Sequence, residues 1–251
     1  MKQNKLITIT GGTKGVGAAI ANFFLDKGWF VVIGSRNKTG LAKSKHPRLS
    51  FKKIDVRIEK DHEAFVKFAL KKNKNYLCAI NCAGISGWKP IEEVTPQFWS
   101  QIIDTNLKGT FLGCKIASKF LKKGSAIINI SSLAGKRGSA NNSVYCSSKF
   151  AVNGLTQSLA KELGVKEIRV NAVCPVYIET SGLNKALNNK NSPSKGKNVN
   201  NFIDNFAKTN SALNKMPTGE DVANFCYFLS SKEAGAITGQ CINIDCGVMP
   251  Q

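Results

Sequence analysis

Short apolar runs alternate with longer amphipathic ones along almost the whole chain, and that alternation restricts the fold more than any other feature. Leu6 to Thr10 reads as a strand and Val16 to Lys27 as a helix. Trp29 to Gly34 is a second strand and Leu49 to Ile54 a weaker third. Glu59 to Lys72 carries Phe65, Val66, Phe68 and Ala69 at helical spacing. Tyr76 to Asn81 is a fourth strand. Pro96, a residue favoured in a first helical turn, opens a helical stretch to about Leu121. Ala126 to Ile130 is a fifth strand, about Asn142 to Leu163 a helix, Glu167 to Cys174 a sixth strand and Cys241 to Ile244 a seventh. Strands separated by helices of this length form right-handed β-α-β units around a parallel sheet covered on both faces. The predicted fold is therefore α/β, a doubly wound, seven-stranded, mostly parallel sheet. With no repeat and no break in composition, it is read as one domain over 1–251.

Charge is the unusual part of the composition. Among 251 residues, 36 Lys plus Arg stand against 16 Asp plus Glu, a net +20. Such a surplus fits an anionic ligand, an acidic protein or nucleic acid, but the lysines are scattered, which also fits a lysine-rich background. Eight cysteines form no CxxC pair, and several sit in apolar runs, as Cys78 and Cys174 do, so reduced, buried thiols are expected. His46 and His62 have no metal-ligand spacing around them, and no metal site is expected. No charged-then-apolar leader precedes the first strand, and no apolar run reaches the ~20 residues of a membrane helix. A soluble, cytoplasmic protein is expected. Asn188 to Asn201 holds a single hydrophobe without periodicity and reads as a mobile loop, the tip of a substrate lid at about 180–216.

In an open parallel sheet, ligands bind beyond the carboxyl ends of the strands, and the distinctive residues of this chain fall there. After the first strand comes Thr10-Gly11-Gly12-Thr13-Lys14-Gly15-Val16-Gly17, where glycine spacing permits a tight turn and close approach of a phosphate to a helix N-terminus. Asn81-Cys82-Ala83-Gly84 follows the fourth strand, Ser131-Ser132 the fifth, and Pro175 to Thr180 the sixth. Tyr145 and Lys149, at i and i+4, project from one face of the following helix.

Taken together, Thr10-Gly11-x-x-x-Gly15-x-Gly17, Asp55-Val56, Asn81-x-Ala83-Gly84, Asn106-Leu-Lys-Gly109, Ile130-Ser-Ser132, Tyr145-x-x-x-Lys149, Asn171-x-x-x-Pro175 and Ile237-Thr-Gly-Gln240 resemble the short-chain dehydrogenase/reductase family from Thr10 to Gly247. Three positions depart from its pattern: Cys82 replaces a second Asn, Val176 a Gly after Pro, and Cys246 a common Gly. The resemblance implies a Rossmann-type NAD(P)-binding domain and hydride transfer between a nicotinamide and a carbonyl or secondary alcohol. It assigns a catalytic tetrad. Tyr145 is the proton donor and Ser132 a donor to the substrate oxygen. Lys149 lowers the phenol pKa and binds the ribose, and Asn106 holds a water that resupplies protons. It also assigns cofactor contacts to Gly11, Gly12, Thr13, Lys14, Gly15, Val16, Gly17, Ser35, Arg36, Asp55, Val56, Asn81, Ala83, Gly84, Pro175, Ile178 and Thr180, beside Tyr145 and Lys149.

The second strand ends Ile33-Gly34-Ser35-Arg36 with no acid to accept from the adenosine ribose. Arg36 and Lys14 suit a 2′-phosphate, so NADP(H) is expected over NAD(H). The overall pattern most resembles the 3-oxoacyl-acyl-carrier-protein reductase branch of fatty-acid synthesis, for which an acidic carrier protein would meet Lys122, Lys123 and Lys185 near the site entrance. A sugar, polyol or other small-ketone dehydrogenase is the alternative. A nucleic-acid binder lacks a recognition helix here, and an idle NADP-binding regulator would have no use for Tyr145. Family analogy further implies a homotetramer built through the helices at about 96–121 and 142–163.

Overall fold

The computed structural model describes residues 5–250. Seven strands form one sheet: β1 Leu6–Thr10, β2 Phe30–Ser35, β3 Leu49–Lys53, β4 Tyr76–Asn81, β5 Ala126–Ile130, β6 Arg169–Pro175 and β7 Cys241–Ile244. Their spatial order is β3-β2-β1-β4-β5-β6-β7, and every pairing is parallel. The connections carry α1 Gly15–Asp26, α2 Glu59–Lys72, α3 Pro96–Ile103, α4 Gly109–Ala117, α5 Ser143–Gly164, α6 Ser181–Leu187, α7 Val199–Asn210 and α8 Gly219–Ser230.

All five residues of β1 are buried, as a strand covered on both faces must be. Its two-residue period sends Ile7 and Ile9 to one face, against Phe24 of α1 and Val222 and Cys226 of α8. Leu6 goes to the other, with Val32, Phe65 and Val66 of α2, Ile116 of α4 and Leu163 of α5. Each such side chain contributes about 1.5–3 kcal/mol when fully buried. The chain winds outward from β1 through β2 to β3, and in the opposite direction from β4 to β7. The order therefore reverses between β1 and β4, and a crevice opens at their carboxyl ends.

Four expectations need correction. The helix expected over 96–121 is interrupted: Asp104–Lys108 widens into a π-helical turn between α3 and α4. The Asn106 side chain there leaves the helix to bond both the N–H and the carbonyl of Ile85, at 2.9 Å each, and such insertions accompany π turns. The segment 188–201 is not a featureless loop. Ser192 and Ser194, 3% and 8% exposed, both donate at 2.5 Å to the Leu187 carbonyl. Asn141 reaches across to the Asn191 carbonyl at 3.2 Å. Polar side chains, rather than apolar burial, close these turns, and α7 begins within the segment, at Val199, with Asn198 as its cap. α6 and α7 then pack on Trp88 through Leu183, Leu187, Val199 and Phe202. Helix α8 was not anticipated; its signal was the reciprocal cap between Thr218 and Asp221. Finally, Lys122 and Lys123 precede β5, and Lys122 lies against Asn75 and Tyr76 at the amino end of β4. They occupy the end of the sheet opposite the crevice, while Lys185 is at the crevice itself.

Candidate active site

The crevice is a cleft of about 730 Å³ running from the turn after β1 to the start of α5. Its floor at one end is backbone. Gly11 takes φ +71°, and a Cβ there would lie 2.8 Å from the Ala83 backbone. A Cβ on Gly17 would collide with the Gly11 carbonyl, and Gly15 takes φ +56°. Gly11 and Gly17 need glycine because the turn, α1 and the β4 loop approach within backbone contact, and Gly15 because of its positive φ. Thr10 completes the junction, its hydroxyl accepting from the N–H groups of Cys82 and Ala83 at 3.2 and 3.4 Å.

At the other end lie the expected catalytic residues. Helix α5 brings Tyr145 and Lys149 to one face, and Ser131 and Ser132 follow directly on β5. The Ser132 hydroxyl lies near enough to the Tyr145 phenol to act on its ionisation. Ser132 is oriented by its own backbone turn, accepting from Ala134 N–H at 3.1 Å and donating at 3.5 Å to the Pro175 carbonyl. The Lys149 ammonium, on a residue only 5% exposed, donates at 2.8 Å to the Ile130 carbonyl and sits 5.7 Å from the Tyr145 ring centre. Asn106, fully buried, makes a further bond to Ser148 at 3.1 Å. A Cβ on Gly84 would fall 3.4 Å from Asn106 Oδ1 and 3.7 Å from Lys149 Nζ, so the two groups border one point from different elements.

The electrostatics differ from expectation. Burial pushes the Tyr145 phenol up to about 12, opposed by the nearby Ser132 hydroxyl, rather than leaving it lowered by the lysine. Burial likewise brings Lys149 down to about 8. Both groups are poorly solvated, so each disfavours its charged form.

Most expected cofactor residues line the cleft: Gly11, Thr13, Lys14, Gly15, Val16, Gly17, Ser35, Arg36, Asp55, Val56, Ala83, Gly84, Pro175, Ile178 and Thr180. Two do not. Gly12 faces the sheet, where a Cβ would meet Ile33 at 2.6 Å. Asn81 is buried between strands, donating to Asn129 Oδ1 at 2.9 Å and to Cys114 Sγ at 3.3 Å. Asn106 contributes from behind the wall rather than on it. Sequence reasoning missed Arg57, Ile85, Leu183 and Ala186, which also line the cleft. The departures Cys82 and Val176 are there too. Cys246 adopts φ +53°, which explains a preference for glycine at that position.

A protein-family model described as Enoyl-(Acyl carrier protein) reductase matches residues 11–249. The chain belongs to the short-chain dehydrogenase/reductase family. It is 31% identical to a 3-oxoacyl-acyl-carrier-protein reductase of Chlamydia muridarum, over 98% of this chain and 97% of that protein. It is 32% identical to a 3beta-hydroxysteroid dehydrogenase of Mediterraneibacter gnavus, over 97% and 94%. Among solved structures, an aldohexose dehydrogenase of Thermoplasma acidophilum superposes with a TM-score of 0.89 at 29% identity, covering 98% of this chain and 94% of that one. An actinorhodin polyketide ketoreductase with NADPH gives 0.88 at 26% identity, covering 99% and 98%. As a member of the short-chain dehydrogenase/reductase family, the protein is an oxidoreductase acting on CH-OH or carbonyl groups.

The cleft fits the nicotinamide dinucleotide that this family uses. Its glycine end presents bare backbone at a helix N-terminus, suited to a diphosphate. The distance from that turn to Tyr145 is bridged by one continuous wall. Among the cleft-lining residues, Lys14, Arg36, Arg57, Lys149 and Lys185 are cations and Asp55 is the single acid, a balance suited to an anionic ligand.

Proposed function

We propose that the protein is an NADPH-dependent reductase of 3-oxoacyl thioesters. The observation that carries this reading is the juxtaposition, in one cleft, of Ser132, Tyr145 and Lys149 with further cations and apolar side chains along the wall. Ile85, Val176, Leu183 and Ala186 are among the apolar ones. These side chains give an acyl chain apolar surface to lie on, among Ser86, Ser181 and Asn189 of the same lining. The likeness to the Chlamydia muridarum 3-oxoacyl-acyl-carrier-protein reductase supports the same substrate class.

A nicotinamide bound in the cleft supplies the hydride. Tyr145, neutral at physiological pH, gives its proton to the substrate oxygen while the Ser132 hydroxyl donates to the same atom and steadies its growing charge. Lys149, held by the Ile130 carbonyl, binds the ribose and favours the phenolate left behind. Asn106, buried behind Gly84, positions a water for returning a proton towards Lys149. Gly11, Thr13, Gly15 and Thr180 hold the diphosphate, while Ser35, Arg36 and Lys14 meet the adenosine and its 2′-phosphate. Lys185 at the cleft rim offers a contact to an acidic carrier. The protein works in the cytoplasm as a homotetramer. Trp99 of α3, Phe111 of α4 and Phe150 of α5, 43% to 48% exposed, give those helices apolar faces suited to association.

The test is oxidation of NADPH and NADH against acetoacetyl thioesters, free ketones and ketoses, repeated at high salt. NADPH-dependent, salt-sensitive reduction of the thioester is expected. Turnover confined to polyols with the oxidised cofactor would overturn the substrate assignment, and preference for NADH the cofactor assignment.

A further inference from the structure

At the adenosine end of the cleft, Asp55 and Arg57 follow β3 on one short loop. Arg57 grips the Asp55 carboxylate with two groups: Nε donates to Oδ1 at 2.9 Å and to Oδ2 at 3.2 Å, and Nη2 donates to Oδ2 at 2.5 Å. The Arg57 N–H adds a bond to Oδ1 at 3.1 Å. The loop itself is fixed. Asp55 N–H donates to Asp61 Oδ2 at 2.8 Å, and the His62 ring bonds the Val56 carbonyl at 2.9 Å. This fork-on-fork geometry matches guanidinium to carboxylate and cannot be reproduced by a point charge.

The pair matters because of where it stands. Asp55 is the single acid among the cleft-lining residues, and the field of Arg36 reaches it. A bare carboxylate there would draw the Arg36 guanidinium towards itself and repel a second anion. Arg36 makes no ion pair with any described residue, so its guanidinium remains available to a ligand. The clamp also holds the carboxyl at about 2, so the acid stays ionised and paired at any physiological pH.

We propose that Arg57 is a specificity-determining residue which neutralises Asp55 by ion pairing, keeps Arg36 free, and so tunes the adenosine end of the cleft for a 2′-phosphate. This rests on the NADPH reading above and adds to it a residue that the glycine motif and the end of β2 do not reveal.

The test uses the intact protein and two probes without a nicotinamide, 2′,5′-ADP and 5′-AMP, titrated by calorimetry, so that no turnover enters the readout. Wild-type protein is expected to bind 2′,5′-ADP at least tenfold more tightly than 5′-AMP. In Arg57→Gln the 2′,5′-ADP affinity should fall about tenfold, with 5′-AMP changing less than about threefold, since a charge-assisted pair is at stake. Adding Asp55→Asn to Arg57→Gln should return the ratio of 2′,5′-ADP to 5′-AMP affinity to within about threefold of wild type, because the uncompensated carboxylate is then gone. Arg57→Lys, which keeps the charge but not the fork, should fall between, and serves where Arg57→Gln folds poorly. Unchanged discrimination in Arg57→Gln or Arg57→Lys, or no recovery in the double variant, would overturn the role of Arg57 while leaving NADPH preference intact. Equal binding of the two probes by wild type would instead refute the NADPH reading itself.

Discussion

The two ends of the cleft are built on opposite principles. At the catalytic end, Ser132 and Lys149 are tied to backbone carbonyls beside Tyr145, and Lys149 is 5% exposed. At the adenosine end, Lys14 and Arg36 are exposed, and Arg57 is held by a single carboxylate. Desolvation dominates the first end, moving Tyr145 up and Lys149 down. Paired charge dominates the second, moving Asp55 down to about 2. The contrast suits the roles proposed for the two ends. Proton transfer needs atoms fixed within hydrogen-bond reach, whereas choosing between two dinucleotides needs only a local balance of charge.

Three substitutions or conditions would break or sharpen that contrast. The largest effect is expected from Tyr145→Phe, which removes one oxygen from the catalytic end. Turnover should fall by about 10³, within the usual range for losing a general acid, while cofactor affinity stays within a few-fold. Rates near wild type, measured by NADPH absorbance, would show that the two ends are not divided in this way. Next is Gly17→Ala, in the turn that joins them. Its Cβ collides with the Gly11 carbonyl, so dinucleotide affinity should drop at least tenfold and the protein lose about 1–3 kcal/mol, as overpacked sites do. Fluorescence titration and chemical denaturation read both, and an unchanged affinity would mean that the turn does not carry the diphosphate.

The smallest effect is a pH dependence confined to the catalytic end. Lys149 is depressed from 10.5 to about 8, so its ammonium is present below about pH 8 and lost above it. Carbonyl reduction should fall roughly tenfold for each pH unit above that point, while binding of 2′,5′-ADP should show no step there. The sign for stability is the reverse. Between about 8 and 10.5 the unfolded chain holds the proton that the folded chain has released, so this group makes stability rise with pH across that window, and Lys149→Met should flatten the slope. An activity profile flat across pH 8 would show that the lysine charge is not needed for proton transfer.

Much of this was legible in the residues alone. The strands were readable because a buried parallel strand must be apolar along its length, and the glycine turn because bare backbone leaves a fixed spacing. Tyr145 and Lys149 were readable because i and i+4 share a helical face whatever surrounds them. Other features were not. Gly12 and Asn81 belong to the same motifs as their neighbours but turn into the sheet, a choice made by packing against Ile33 and Asn129. The turns at 188–198 contain few apolar residues, and their order comes from serine hydroxyls meeting one carbonyl, which no periodicity reports.

The sequence by itself determined the layered α/β fold, the place of the cleft and the candidate side chains for proton transfer, because these depend on spacing along one strand or one helix. Tertiary structure alone decided that a π turn carries Asn106 to Ile85, that Lys122 and Lys123 sit at the far end of the sheet, and that Arg57 clamps Asp55. Those outcomes depend on which distant segments meet and on how much water is excluded where they do, and neither quantity is written in local order along the chain.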